Sequence, residues 1–164
     1  MKRSLLRRSL QALAILILLR SLPVFAEDPT STYQAHAIVA FVNQAAALLE
    51  AKGMAAFPEF KVKGGDWWQG DTFIFVFDMT GTVFMHPIRH DLEGANFAYI
   101  KDVETKEFVK EGLELVKTAG SGWIDFLIPR RQLQAPSRRY AYIRAVAIPE
   151  GQTLIVGSGF WVEQ

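Results

Sequence analysis

The chain has 164 residues, 50% hydrophobic and 21% charged, with 18 Lys and Arg against 17 Asp and Glu for a formal charge of +1. That composition supports one domain with a buried core and excludes a wholly disordered, collagen-like or low-complexity chain. The absence of cysteine excludes disulfides, thiolate nucleophiles, thiolate metal sites, iron–sulfur clusters and covalent haem.

The positive excess sits at the front. Residues 1–26 carry Lys2, Arg3, Arg7, Arg8 and Arg20 and no acidic residue, then an apolar stretch from Leu10 to Leu19, then Pro23-Val24-Phe25-Ala26. A basic start, an apolar run too short for a comfortable bilayer span and small residues at the end are the pattern of a secretory signal, with cleavage expected after Ala26. The alternative is an uncleaved segment tethering the protein to the inner membrane, and the Arg7-Arg8 pair raises twin-arginine export beside the general route. Cleavage would leave residues 27–164 as one domain in the periplasm or outside the cell, with 13 basic against 17 acidic residues and a net charge of −4. No basic stripe is left to neutralise several phosphates, so nucleic acid is not an expected partner.

A helix is expected after the Pro29 to Thr32 start signal, because Ile38, Phe41, Val42, Ala45, Leu48 and Leu49 recur at three- and four-residue steps until Gly53. A short helical piece follows from Met54 to Phe60. Thr72 to Phe77 reads as a buried strand, Asp78-Met79-Thr80-Gly81 as a turn, and Thr82 to His86 as the hairpin partner ended by Pro87. Residues 88–101 form a long excursion, and Asp102 is expected to open a second helix that ends near Ala119-Gly120. Three strands close the chain: Gly122 to Ile128, Arg139 to Ile148 and Thr153 to Val162, the last two joined by a turn at Pro149-Glu150-Gly151-Gln152. The sum is an α+β domain on a five-stranded antiparallel sheet, with helices on one face and a pocket on the other beneath the excursion.

The order of motifs resembles the single Cache domains of the second type, the extracytoplasmic PAS-like sensor modules of bacterial chemoreceptors and histidine kinases. The matching pieces are the run from Thr72 to Val83, His86-Pro87, Gly94-Ala95-Asn96, Ile100-Lys101-Asp102, Gly120 to Phe126, Arg139-Tyr140-Ala141-Tyr142 and Val156 to Phe160. The resemblance spans most of residues 33–162. It implies a long N-terminal helix beside a PAS-like sheet and a pocket that takes a short organic acid or similar metabolite. It implies no cofactor and no catalysis, but signal transduction with a membrane receptor or histidine kinase. Phe126 stands where the family commonly has tyrosine, and Arg139 where it commonly has lysine. Without a transmembrane helix or signalling domain after it, the chain is expected to be a free-standing member.

Arg139 is the candidate charge for a ligand, because its guanidinium fork matches a carboxylate in two places; a solvated pair with Arg138 is the plainer reading. Tyr142, three residues on in the same strand, falls on the opposite face if the strand is regular, so a bulge or late start would be needed for both to reach one ligand. His86 is read either as a donor to the ligand with its other nitrogen held by backbone, or as a cap on the turn. Phe75, Trp123 and Phe126 serve as pocket wall or plain core. Trp67-Trp68 is either a lid edge or a plug between helix and sheet. His86, His90, Asp91 and Glu93 do not make a metal site by spacing, since Pro87 prevents a helical i, i+4 pair. Gly157-Ser158-Gly159 is not the G-x-S-x-G elbow of hydrolases. Two other functions stand beside the sensor: a small periplasmic lyase or hydrolase using His86 with Asp91, and an interaction protein with a vestigial pocket that dimerises through its N-terminal helix.

Overall fold

The computed structural model describes residues 29–130 and 135–162; the expected signal at residues 1–26 lies outside the described residues. Helix α1 spans Pro29–Lys52 and buries Ile38, Val42, Ala45, Ala46 and Leu49, the inward side of the predicted stripe. It stops at Gly53, which adopts a φ of +58° that a side chain would resist. A 3-10 turn, Gly53–Ala56, follows and leads into the single turn α2, Phe57–Phe60. The Glu150 carboxylate accepts the Met54 N–H at 2.9 Å, tying this turn to the Pro149-Glu150-Gly151-Gln152 connection between the last two strands.

Strands β1 (Trp68–Gln69) and β2 (Thr72–Phe73) form a small hairpin, and β3 (Phe75–Asp78) and β4 (Val83–Met85) a second. The single strand expected over Thr72 to Phe77 is therefore broken at Ile74, whose N–H leaves the ladder for the Trp67 carbonyl at 3.2 Å. The turn after β3 follows from its residues: Asp78 Oδ1 accepts Thr80 N–H and Thr82 N–H, each at 2.8 Å, and Gly81 sits at φ +89°. Burial works against the Asp78 carboxylate, yet the hydrogen bonds from Thr80 and Thr82 hold its pKa below the usual range. The excursion is laid over this hairpin. Thr82 bridges to Asn96, and Phe97 N–H donates to the Gly81 carbonyl at 2.8 Å.

Helix α3 spans Phe108–Ala119, six residues later than expected. Asp102 opens no helix. It is buried, and it accepts the N–H groups of Glu104 and Lys106 on one oxygen and of Leu127 on the other, all at 2.9 Å. The carboxylate thus folds the approach to α3 into a turn and covers the outer edge of the next strand. That strand is β5 (Ser121–Pro129), followed by β6 (Pro136–Ala147) and β7 (Thr153–Trp161).

The five-stranded sheet runs β4-β3-β7-β6-β5, antiparallel throughout. Alternation along the strands divides the core in two. On one face Val76, Met85, Val146, Leu154 and Val156 pack under α1; on the other Ile124, Phe126, Ala141, Ile143 and Ile155 meet Leu113 and Val116 of α3. Helices thus cover both faces rather than one. The second face is only half covered, because α3 lies against β5 and the end of β6 and leaves the rest to the excursion. No helix among the described residues is long and apolar enough to cross a membrane.

Candidate functional site

The half-covered face holds a cavity of about 580 Å³, in the range of small-molecule sites. Its floor is the sheet. Of β6, Arg139 and Ile143 line it, while Ala141 between them is fully buried and pairs with Gly159 of β7. Because both Arg139 and Ile143 line the cavity, it runs as a trough over the sheet from one to the other. Phe75 and Phe77 of β3 wall one side, meeting edge to face with ring centres 5.8 Å apart. Phe108 of α3 stacks on Phe126 of β5 at 4.4 Å on the other. At the far end Gly112 lets α3 come down onto the sheet, since a Cβ there would sit 2.9 Å from Ile143 Cδ1.

One end of this apolar chamber is polar. Arg139 is 5% exposed and lies between two rings, its guanidinium carbon 4.8 Å from the centre of Phe73 and 5.1 Å from that of Trp161. Its Nη2 donates to the backbone carbonyls of Asp71 and Gly159, each at 3.2 Å. No carboxylate among the described residues pairs with it. The Asp71 carboxylate is taken instead by Arg130 at 2.6 Å, and Arg130 Nε is itself buried with no partner. Burial pulls the Arg139 pKa down to about 10, with Asp71 opposing and Arg130 adding to the shift, so the group stays charged at neutral pH.

His86 stands beside this cluster, its ring 5.1 Å from Phe73. Its Nδ1 accepts the N–H of Ile88 at 3.3 Å and of Arg89 at 3.1 Å, so in the neutral ring the proton is on Nε2. Burial, then the charges of Arg139 and Arg89, push its pKa down to about 4 against the pull of Glu93. His86 is a neutral donor at physiological pH. Pro87 follows because the chain must turn sharply to bring these two N–H groups back over the ring.

Of the six residues singled out from sequence, the structure brings four to the cavity: Phe75, His86, Phe126 and Arg139. Arg139 is no solvated partner of Arg138, which points away to Asp125 and, at 2.7 Å, to Glu104. Trp123 and Tyr142 are elsewhere. β6 runs without a bulge against both neighbours, so Tyr142 falls on the α1 face, where its hydroxyl donates to Ser121 at 2.8 Å and its ring lies 5.4 Å from Trp123. Trp123 is 36% exposed there, at the edge of the sheet, and is neither core nor cavity wall. The Trp67-Trp68 pair divides: Trp67 plugs between Phe41 and Phe60 at 5.6 and 5.3 Å, while Trp68 lines the cavity. His90 and Glu93 meet at 3.5 Å, Arg89 takes Asp91, and no group of three metal-ligating side chains converges among the described residues.

Sequence reading did not single out Phe73, and counted Trp161 only among the aromatics that suggest a pocket; these are the rings that hold Arg139. Phe73 was available, since it alternates with Phe75 and Phe77 onto one face. Trp161 becomes visible only in the register that sets it directly opposite Arg139. Of the α3 contribution, Val109 belongs to the apolar face that Gly112, Leu113 and Val116 mark on the expected helix, whereas Phe108 was not singled out.

No curated protein matches the sequence. Among solved structures, one with a TM-score of 0.62 is 25% identical, with 82% of this chain and 95% of that chain covered; it is a Cache chemosensory domain described for its recognition of carboxylic acid. The periplasmic sensor domain of a chemotaxis protein matches at 0.63 and 22% identity over 84% of this chain and 100% of its own. A methyl-accepting chemotaxis protein from Vibrio parahaemolyticus matches at 0.63 and 15% identity over 82% and 93%. The last two show the shared fold. The family model of the Cache domain matches residues 64–164, from the β1–β2 hairpin through the whole sheet that carries the cavity, and the chain therefore belongs to the Cache domain family of extracytoplasmic sensors.

Proposed function

We propose that this domain senses an organic acid whose carboxylate is received at the polar end of the cavity by Arg139 and His86, and that it passes the signal to a membrane receptor or histidine kinase. The observation that carries the reading is Arg139: a buried cation with two backbone acceptors and no carboxylate partner among the described residues. A buried charge is stable when an opposite charge completes it, and the free edge of this guanidinium faces the cavity. Arg130 Nε adds a second unpartnered donor at the same end, and the neutral His86 offers Nε2–H. The solved Cache domain described for carboxylic acid recognition supports the same class of ligand. Phe75 and Phe126 would form the wall around the ligand, and Trp123 and Tyr142 would act, if at all, from the opposite face.

Among the described residues nothing in the cavity couples a base to a nucleophile: His86 Nδ1 is occupied by backbone, and Asp91 is engaged by Arg89. That supports binding over the lyase or hydrolase reading. Export by the N-terminal signal and a homodimer through α1 complete the proposal. The test is calorimetric titration with a panel of carboxylates and their uncharged amides, on the wild type and on Arg139→Met. Carboxylates should bind and amides should not. Losing one partner of a buried charge pair costs about 2 kcal/mol or more, so R139M should weaken acid binding at least ~30-fold. The unliganded variant should stay folded with a lower melting temperature, since Met leaves the Asp71 and Gly159 carbonyls without their Nη2 donor while it removes a buried charge that has no carboxylate partner. Equal binding of acids and amides would refute the proposal.

A further inference from the structure

The polar end occupies little of the cavity. Arg139 and Ile143, which both line the cavity, lie four residues apart along one strand, or roughly 13 Å at about 3.3 Å per residue. An extended chain advances about 1.1–1.2 Å per bond, so that length is the reach of about eleven bonds. Volume agrees. At about 30 Å³ for each water-sized group, 580 Å³ holds on the order of twenty such groups, several times what a two- to four-carbon acid fills.

The far end of the cavity, at Ile143, offers nothing for a second charge. Among the described residues Arg139 is the one buried charged residue lining the cavity; Lys63, Asp71, Arg89, Lys101 and Arg130 are all partly or fully exposed. The far end is closed by Leu113, Ile124, Ile143 and Ile155, with the Phe108–Phe126 stack above. A polar group placed there would be stripped of water and left unpaired. A diacid or amino acid long enough to reach Ile143 would suit one end and be penalised at the other.

We infer that the ligand is an amphiphilic monocarboxylate, an acid with an unbranched apolar tail of about six to ten carbons lying along the trough between Arg139 and Ile143. This rests on the carboxylate reading above and adds the tail to it. Each methylene drawn into the trough is worth about fourfold in affinity, the conversion of ~0.8 kcal/mol per buried CH₂. The test is calorimetric titration of the protein with acetate, butyrate, hexanoate and octanoate, with 1-octanol and octanedioate as controls. Butyrate to octanoate adds four methylenes, so the dissociation constant should fall about 200-fold. Octanol, which lacks the anion, should bind at least ~30-fold more weakly than octanoate. Octanedioate, which puts a second carboxylate at the apolar end, should bind at least 100-fold more weakly.

A filling variant, Val109→Phe, narrows the chamber from the α3 side at a half-buried position that is not part of the polar end. It should weaken octanoate at least tenfold and leave butyrate within threefold. If butyrate binds and octanoate binds no better, or if octanedioate equals octanoate, the tail inference is overturned while the carboxylate reading stands. If no acid of any length binds, or if octanol equals octanoate, the carboxylate reading fails as well. If V109F weakens butyrate and octanoate equally, the tail does not lie along α3 and the inference is overturned.

Discussion

His86 should make the protein acid-sensitive well above the range where carboxylates titrate. Its ring is neutral and buried, with a pKa of about 4 against 6.5 for an ordinary histidine. Below pH 6.5 the unfolded chain takes up a proton that the folded chain refuses, so stability present above 6.5 drains away as pH falls toward 4. Between pH 7 and pH 5 these two values give a loss of about 1.8 kcal/mol. Other groups add little in that window. Asp78, Glu93, Asp102 and Asp125 are all held below their ordinary values of 3.8 to 4.5, so their contributions are lost only at lower pH. The assay is urea unfolding at pH 7 and pH 5, followed by tryptophan fluorescence. His86→Asn keeps an acceptor oxygen near the place of Nδ1, for the Ile88 and Arg89 N–H groups, and cannot titrate. The variant should lose less than about 0.5 kcal/mol over the same interval. A wild type that loses no more than that, or a variant with an unchanged slope, would refute the assignment of a buried neutral ring.

Leu49, fully buried between α1 and the sheet, should cost about 2–5 kcal/mol when cut to alanine, read from the shift in urea midpoint. Asp102→Ala strands three backbone donors; it should cost about 3 kcal/mol, and hydrogen exchange should speed at Glu104, Lys106 and Leu127 while the α1 face keeps its protection. Gly81→Ala must hold a side chain at φ +89° with its Cβ 3.1 Å from Ala98, so its thermal melt should fall by an amount equivalent to about 1–3 kcal/mol.

The long elements were legible because each carries its own periodicity. The α1 stripe, the Asp78-Gly81 turn and the three C-terminal strands all follow from local patterns, and their edges were off by only a few residues. What failed depended on partners far away in sequence. Asp102 has the residue type of a helix start, but its carboxylate is claimed by Leu127, 25 residues on. The apolar run at Thr72 gives no hint that Trp67 will take the Ile74 N–H. In the site, the opposed faces of Arg139 and Tyr142 were readable from alternation alone, and the unbroken register of β6 enforces them. The depth of the cavity was not readable, because its walls come from β3, the excursion, α3 and the C-terminal strands, which meet only in the folded chain.

The position of β7 has a consequence for how the protein is made. It is the central strand, yet it is the last of the described strands to be synthesised, and Phe75 must wait for Gly157 before its pairing exists. Until then the chain holds two separate hairpins, β3–β4 and β5–β6, of a kind only marginally stable in water. α1 likewise has no finished sheet to dock on, since Leu154 and Val156 belong to its core. The nascent polypeptide is therefore expected to stay uncommitted along nearly its whole length until β7 is made, and to close in one late step.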